Sequence, residues 1–262
     1  MKKIVIQGFP YDEKSSFQKG AALAPPLIRK ALYADSMNLY AENGKLIKGE
    51  RILDLGDFTI DNYFEIEKLS ADHLMEADLI FSLGGDHSIT YPIVKAVSRK
   101  FQKIDILHID AHADLYQEYE GDPYSHACPF ARIMEDKLAE RLVQFGIRTL
   151  NPHQKEQIER FGVEVNQMEG VGSFEYPKFE NPVYLSLDLD GFDPAYAPGV
   201  SHHEAGGLSS RQVIDLIRNF EGTLVGADLV EYNPHRDHQD MTAYLSAKLM
   251  KEIIGRMLKD HS

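Results

Sequence analysis

The chain has 262 residues, of which 43% are hydrophobic, and its formal net charge is −13. This length and composition suit a globular protein with a full core, built as one large α/β domain or two small ones. The acidic surplus argues against nucleic acid or an anionic membrane as partner, and the single cysteine, Cys128, excludes an internal disulfide.

Apolar runs and helical periodicity alternate along the chain. In the first half we predict strands at 2–8 and 51–56, a strand with a glycine turn at 78–88, and helices over 24–33, 62–77 and 93–101. In the second half we predict a strand from 104, further strands at 142–147, 163–165, 183–187 and 224–230, and helices over 129–138, 152–161, 209–220 and 241–258. This alternation is typical of a mostly parallel sheet covered on both faces. Since we find no repeat and no linker, we predict one domain over residues 1–262.

Acidic residues and histidines follow three of the predicted strands where each strand ends. The stretches are IDILHIDAHADL at 104–115, PVYLSLDLD at 182–190 and LIFSLGGDHS at 79–88. Successive ligands two residues apart share one face of a strand, and ligand sites in open α/β sheets lie outside the carboxyl ends of the strands. We therefore expect six side chains to converge: His87, Asp110, His112, Asp114, Asp188 and Asp190.

This set of side chains predicts a metal centre. Carboxylates packed closely repel one another unless a cation lies between them. Two imidazoles and four carboxylates are too many for one ion, but they suit two ions that share bridging carboxylates about 3.5–4 Å apart. Because the set lacks cysteine and is rich in carboxylates, we expect Mn²⁺ rather than structural zinc. Two such ions would provide a bridging hydroxide, which predicts hydrolysis at an electrophilic carbon or phosphorus.

Three motifs resemble the signature motifs of the arginase/agmatinase/formimidoylglutamase (ureohydrolase) family. They are GGDHS at 84–88, DAHADL at 110–115 and SLDLDGFDPAYAPG at 186–199, and they occur in the order found in the family. Weaker similarity extends over nearly the whole chain and includes VEYNP at 230–234. The resemblance implies an arginase-like three-layer α/β/α sandwich with two Mn²⁺ per subunit. It also implies a small guanidino substrate and a homo-oligomer, trimer or hexamer.

The resemblance also implies roles for individual residues. One ion would be held by His87, Asp110, Asp114 and Asp188. The other would be held by Asp110, His112, Asp188 and Asp190, so that Asp110 and Asp188 bridge. His126, in YSHAC, matches a loop histidine that moves protons, and Glu231 matches a glutamate that binds the guanidinium. With Asp114, these two residues form the expected catalytic group.

Each of these roles has a plainer alternative. His126 could be a histidine on a surface loop, and Glu231 could be a strand-end acid that pairs with a base such as Arg236. His108 alternates in phase with Asp110 but lies inside the strand, so we expect a hydrogen-bonded core histidine rather than a ligand.

The substrate prediction depends on the loop after the second motif. Arginases of the family have an Asn two residues after DAHAD, whereas this chain has Tyr116, followed by an acidic and aromatic loop through Cys128. Such a loop suits a neutral or cationic tail better than an α-carboxylate, so we predict an agmatinase-like enzyme of polyamine synthesis that hydrolyses agmatine to putrescine and urea. Ala127 replaces the usual Gly, and Val200–Glu204 replaces Thr-Gly-Thr-Pro. Arginine, other guanidino acids and formimidoylglutamate therefore stay open.

Two alternatives come from other classes of protein. One is a non-catalytic family member, but all the ligands and the loop histidine are retained. The other is a metal-dependent deacetylase with one zinc, against which the pair His87 and His112 argues. The apolar run at the N-terminus is too short for a signal peptide, and no stretch reaches the ~20 apolar residues of a membrane span. We therefore predict a cytoplasmic protein.

Overall fold

The computed structural model describes residues 2–168 and 175–262. Its strands are β1 (Ile4–Gly8), β2 (Ile52–Asp57), β3 (Leu79–Leu83), β4 (Asp105–Ile109), β5 (Arg141–Ile147), β6 (Glu164–Gln167), β7 (Val183–Asp188) and β8 (Leu224–Val230). They form one sheet in the order β2-β1-β3-β8-β7-β4-β5-β6. Every neighbouring pair is parallel, which confirms the predicted sheet.

The helices are α1 (Ala24–Leu32), α2 (Glu65–Glu76), α3 (Thr90–Phe101), α4 (Pro129–Glu135), α5 (Pro152–Phe161), α6 (Ser210–Asn219) and α7 (Met241–Asp260). Six of them form two groups. Helices α1 and α6 pack against α7, while α2 and α4 pack against α3. Within the described residues, no helix is long and apolar enough to cross a membrane.

Each group of helices covers one face of the sheet, because side chains alternate between the two faces of a strand. On β3, Leu79 and Phe81 belong to the core shared with α1, α6 and α7. Ile80, between them, belongs to the core shared with α2 and α3. The arrangement is the predicted three-layer α/β/α sandwich.

Several element boundaries differ from the prediction for local reasons. The helix predicted to begin at residue 62 begins at Glu65, because the Asn62 side chain accepts a hydrogen bond from the Phe64 amide and forms a turn instead. Helix α3 begins at Thr90, three residues early, since Pro92 lies in the first turn, where its missing N–H costs nothing. Helix α6 begins where predicted, with Ser209 and Gln212 forming a capping box.

The sheet order brings the predicted site together. Strands β3, β8, β7 and β4 are consecutive neighbours at the centre of the sheet, so the chain leaves all four at the same edge. The loops pass very close to one another there. A Cβ on Gly85 would lie 1.9 Å from the Tyr11 carbonyl oxygen, and a Cβ on Gly191 would lie 2.9 Å from the Asp110 nitrogen. Glycine is therefore required at both crossings.

Candidate metal centre

The structure brings all six predicted ligands together at the carboxyl edge of the sheet, where His112, Asp114, Asp188 and Asp190 line the floor of one cavity and His87 and Asp110 lie directly beside them. The cavity has a volume of about 260 Å³. The loop after β3 carries His87, the loop after β4 carries three of the residues, and β7 ends at Asp188 and leads into a short turn, 189–191, with Asp190. The four aspartates and His87 are buried, and His112 is partly exposed to the cavity.

The first group of atoms surrounds His87 Nδ1. This nitrogen lies 3.1 Å from the Oδ2 atoms of Asp110, Asp114 and Asp188. Nevertheless, it is buried without a hydrogen-bond partner among the described residues. Ligands bound at right angles to one ion, each at about 2.1 Å, lie about 3 Å apart. The spacing fits atoms arranged around a common cation rather than around a hydrogen bond.

The hydrogen bonds behind His87 explain why Nδ1 faces the carboxylates. Ser186 donates its hydroxyl proton to Asp228 Oδ1 at 2.7 Å, and its oxygen lies 2.9 Å from His87 Nε2. Because the Ser186 hydroxyl already donates to Asp228, its oxygen accepts a hydrogen bond from the N–H at His87 Nε2. Asp228 also accepts hydrogen bonds from Tyr184 and Thr90. Nε2 is therefore the nitrogen that keeps its proton, and Nδ1 is the nitrogen that can offer a lone pair to a metal ion.

The second group of atoms involves His112. Its Nδ1 lies 3.0 Å from Asp190 Oδ2 and 3.4 Å from Asp110 Oδ1. Asp110 therefore directs one carboxylate oxygen toward His87 and the other toward His112. This is the geometry of a bridging carboxylate. Asp114 adopts a φ of 50°, which is uncommon for a residue other than glycine and typical of a functional position.

Electrostatics show that the cluster needs cations. Burial and the charges of Asp190 and Asp110 raise the pKa of Asp188 well above its usual value. Burial also raises the pKa of Asp190, to about 6 despite the nearby His112. Burial lowers the pKa of His87, but three carboxylates outweigh burial and raise it well above the ordinary value. These directions are those expected for carboxylates crowded together in a buried place, where a bound cation would balance their charge.

His108 is a hydrogen-bonded core histidine, as predicted. His87, His108 and Asp110 lie close enough together to hold an ion. However, His108 Nε2 donates to Asp110 Oδ2 at 2.9 Å, and its Nδ1 lies 3.0 Å from Gln144 Nε2, which donates to it. Both ring nitrogens are therefore committed, and His108 orients Asp110 instead of binding a metal.

Glu231 and His126 form a buried pair above the floor of the cavity. Glu231 Oε1 accepts the backbone N–H of His87 at 2.9 Å and lies 3.1 Å from His126 Nδ1. Burial lowers the pKa of His126, but the hydrogen bond and charge of Glu231 outweigh it and raise this pKa to about 9. Arg236, the partner considered from the sequence, instead lies 3.5 Å from His203.

Sequence reasoning did not identify several residues of the cavity wall. Ser16 Oγ lies 2.9 Å from His126 Nε2, and the ring of His202 lies 5.6 Å from that of His126. The Ser16 contact joins residues 110 positions apart and has no periodic pattern to reveal it. His202 lies in the segment already noted for its departure from the family. Tyr119, Thr149 and Gln154 complete this wall.

The acidic residues of the loop after β4 do not form the cavity. Glu118 and Glu120 are exposed and are not among the residues that line it. Asp122 forms an ion pair with Lys14 at 2.6 Å. The loop contributes Tyr116 and Tyr119 to the cavity instead. The physical reason for preferring agmatine, an acidic wall around the substrate tail, is therefore wrong.

Comparisons with known proteins agree with this geometry. A family model described as the arginase family matches residues 2–255. A mitochondrial arginase of Medicago truncatula is 44% identical over 280 residues, which cover 97% of this chain and 82% of that protein. An agmatinase of Bacillus cereus is 31% identical over 265 residues, covering 96% and 91%. A solved structure of the arginase from Medicago truncatula has a TM-score of 0.92 at 42% identity, covering 98% of this chain and 87% of that one.

The arginase is clearly more similar to this chain than the agmatinase is, so agmatine specificity has no support from these relatives. The predicted cytoplasmic location is not supported either, since the first of them is named as mitochondrial. The arginase family is a binuclear manganese family, and the His/Asp clusters of this chain could bind metal. The chain belongs to the arginase family, whose members are hydrolases acting on C–N bonds of guanidino compounds.

Proposed function

We propose that the chain is a binuclear manganese enzyme that hydrolyses L-arginine to urea and ornithine. One observation carries the proposal of guanidino chemistry. Four buried aspartates lie together at the cavity, three of which line it, and a fifth carboxylate, Glu231, lines it as well. Four aspartates would neutralise two divalent ions, which leaves the charge of Glu231 to be shared between His126 and a cationic group of the substrate.

The ligand set follows the two groups of atoms. We propose that one ion is held by His87, Asp110, Asp114 and Asp188. The other would be held by Asp110, His112 and Asp190, with Asp188 joining them as the resemblance to the family implies. The hard carboxylate oxygens and two imidazoles suit Mn²⁺. When bound, the two ions would supply an activated water as the nucleophile that attacks the guanidinium carbon.

Glu231 binds the planar guanidinium in this proposal. Its Oε1 is held by the His87 amide and His126, whereas its Oε2 accepts no hydrogen bond from a described residue. Paired N–H donors of a guanidinium can therefore bind this carboxylate with the strength of a charge-assisted contact. The backbone of Glu231 has a φ of 66°, so the chain is held in a strained turn to place this side chain.

His126 donates the proton that the departing amine requires. Its pKa of about 9 keeps the ring cationic at neutral pH while Glu231 is free. A guanidinium bound to Glu231 neutralises the charge that raises this pKa. Substrate binding thereby turns His126 into a stronger acid at the moment when a proton is needed. Ser16, on the far side of the ring, keeps His126 oriented.

Arginine is proposed over agmatine for two reasons. The relatives named as arginases are 44–45% identical to this chain, and the agmatinases are 31% identical. The outer cavity also carries neutral hydrogen-bonding groups, on Tyr116, Thr149 and Gln154, which can solvate both charges of an amino-acid tail.

Agmatine is the second candidate, and one observation favours it. Among the described residues that line the cavity there is no lysine or arginine, so an α-carboxylate finds no opposite charge there. Agmatine has an amine in place of the α-carboxylate, so its tail does not require a cationic side chain in the cavity.

A side-by-side assay tests both candidates. The protein is loaded with Mn²⁺ and given arginine, agmatine, guanidinobutyrate or formimidoylglutamate, and urea and formamide are measured. We expect urea from arginine with a kcat/KM at least tenfold above that for agmatine. A preference for agmatine would keep the chemistry and overturn the substrate. The absence of product from every compound, with two Mn²⁺ bound per chain, would overturn the proposed function and favour a non-catalytic member.

We also propose a homo-oligomer, trimer or hexamer, which rests on analogy with the family. Exposed apolar side chains on the packed pair α1 and α7 support it, including Met241 and Tyr244. Light scattering coupled to size-exclusion chromatography gives the mass, and a monomer at micromolar concentration would overturn this proposal.

A further inference from the structure

One guanidinium, that of Arg148, connects the metal centre to the rim of the cavity. Arg148 follows β5 directly, and its side chain is partly buried. It donates six hydrogen bonds to five carbonyl oxygens, at distances of 2.6–3.3 Å. The acceptors are Gly146, Asp190, Gly191, Phe192 and Glu204.

Three of these carbonyls belong to the turn that carries Asp190. Nη2 lies 2.7 Å from the Asp190 oxygen and 3.2 Å from that of Phe192, and Nη1 lies 3.3 Å from that of Gly191. Carbonyl dipoles that point at one place repel one another unless a cation lies between them. The Arg148 guanidinium is that cation, so it determines the path of the turn.

The backbone of Arg148 reaches the same ligand from the other side. Its N–H donates to the Ala111 carbonyl at 3.0 Å, and the Ala111 N–H donates to Asp190 Oδ1 at 3.1 Å. Arg148 therefore contacts both the backbone of Asp190 and the backbone of Ala111, the residue whose N–H binds the Asp190 carboxylate.

The fifth carbonyl belongs to the rim of the cavity. Nη2 and Nε of Arg148 lie 2.6 and 3.2 Å from the Glu204 oxygen. The segment that ends there includes His202, which lines the cavity. Nearby, a Cβ on Gly207 would lie 2.5 Å from the Asp193 nitrogen and 2.7 Å from Arg148 Nη2, so the backbone of the Asp190 turn and the guanidinium both pass close to this glycine.

We propose that Arg148 is a positioning residue that fixes Asp190 as a ligand of the second ion and holds the His202 segment as a wall of the cavity. The inference rests on the proposed function, since it takes Asp190 as a metal ligand. Lysine cannot replace Arg148, because a single ammonium offers three donors at one point while the five oxygens lie around a planar fork.

Arg256 is a matched control. It is buried, and it donates to the carbonyls of Ile217, Arg218, Phe220 and Gly222 and to Asp260, at the opposite end of α7 from the cavity. Both arginines therefore join several carbonyls, but only Arg148 joins those of the Asp190 turn. A loss of stability is expected from substituting either residue, and a loss of metal only from substituting Arg148.

The experiment measures Mn²⁺ binding to intact Arg148→Lys and Arg256→Lys proteins by equilibrium dialysis with elemental analysis. We expect Arg148→Lys to weaken one of the two ions about 10–100-fold, the effect usual for residues that orient a ligand. At limiting Mn²⁺ its electron paramagnetic resonance should show isolated ions in place of a coupled pair. Arg256→Lys should melt at a lower temperature and retain both ions with unchanged affinity.

Several outcomes would decide against the inference. Wild-type affinity for both ions in Arg148→Lys would overturn the positioning role and leave the proposed function intact. A wild-type protein that takes up fewer than two ions would overturn both. If Arg148→Lys lacks a native near-ultraviolet circular dichroism spectrum, Arg148→Gln serves as the second variant, and retention of both ions by that protein would again overturn the positioning role.

Discussion

Two charged clusters in this molecule are built in opposite ways. At the cavity, four aspartates crowd around two histidines, and the described residues that line the cavity include no lysine or arginine. On the far surface, one carboxylate, Glu42, is surrounded by cations. Arg211 contacts both of its oxygens at 2.9 Å, and Arg218 and Lys248 lie within 3.0 Å.

The difference appears directly in the pKa values. The Arg211 hydrogen bond, against a smaller effect of burial, lowers the pKa of Glu42 to about 2. In the cavity, burial and neighbouring carboxylates raise the pKa of Asp188 well above its usual value. Asp215 and Glu252 also pair with Arg211 and Lys248, so three carboxylates face three cations. A cluster that balances its own charge in this way joins parts of the fold, here the loop at 41–45 to α6 and α7. A buried cluster that does not balance its charge is a site for something that the chain itself lacks.

The largest expected effect comes from removing a ligand from the unbalanced cluster. Asp190→Asn should lower kcat/KM for urea release by at least about 10³-fold, equivalent to roughly 4 kcal/mol, because one ion loses one of its carboxylate ligands. Metal analysis should show close to one Mn²⁺ per chain. Glu42→Gln is the control, and it should change neither activity nor metal content. Full activity in Asp190→Asn would remove the reason for treating the cluster as a metal centre.

The pair of His126 and Glu231 tests the chemistry separately from the metal. Asparagine at position 126 can still donate to Glu231 but cannot transfer a proton. His126→Asn should therefore lower kcat about 10²-fold, the usual size of a general-acid contribution, while both ions stay bound. Measurement of kcat alongside Mn²⁺ content checks this. A loss of metal in this variant would mean that His126 supports the ligands rather than the proton transfer.

Much of the unbalanced cluster could be predicted from the sequence because of a simple geometric rule. Parallel strands end at one edge, so His87, Asp110 and Asp188 converge even though they come from distant parts of the chain. The eight strands and their alternation with helices were predictable from apolar periodicity for the same reason. Helix boundaries were harder to predict, as at the start of α3, because tertiary packing and caps decide the terminal turns of a helix.

Contacts made by loops could not be predicted in this way. Ser16 reaches His126 from a polar loop without periodicity, and Arg148 reaches five carbonyls through a flexible side chain. The loop acids do not support the substrate prediction, because a charge in the sequence does not reveal the direction of its side chain. In the structure, Glu118 faces solvent and Asp122 is neutralised by Lys14. The periodic pattern of apolar residues predicted the strands, the helices and their buried faces. The direction of side chains in loops could be read only from the structure.

A stability measurement on the metal-free protein tests the difference between the aspartate cluster and the Glu42 cluster. Asp188→Asn removes one of the crowded charges and keeps an oxygen to accept the Asp190 amide, which lies 2.7 Å from Oδ1. In chelator the substitution should raise the free energy of unfolding by about 1 kcal/mol, as often occurs when a functional residue is replaced. With Mn²⁺ at 100 times its Kd, wild type should gain about 2.7 kcal/mol per ion, and the variant should gain less. Urea denaturation measures both values.

The same denaturation experiment on Glu42→Gln should give the opposite sign and the smallest effect. We expect a loss of about 1 kcal/mol near neutral pH, because exposed partners and solvent screen the pair. Since folding lowers the pKa of Glu42 to about 2, its contribution is complete above the ordinary value of 4.5 and is lost as the pH falls toward 2. The difference between wild type and variant should therefore shrink from about pH 5 to about pH 2. If both Asp188→Asn and Glu42→Gln destabilise the metal-free protein, then the two clusters do not differ in kind, and the crowded aspartates are held by interactions other than those with a missing cation.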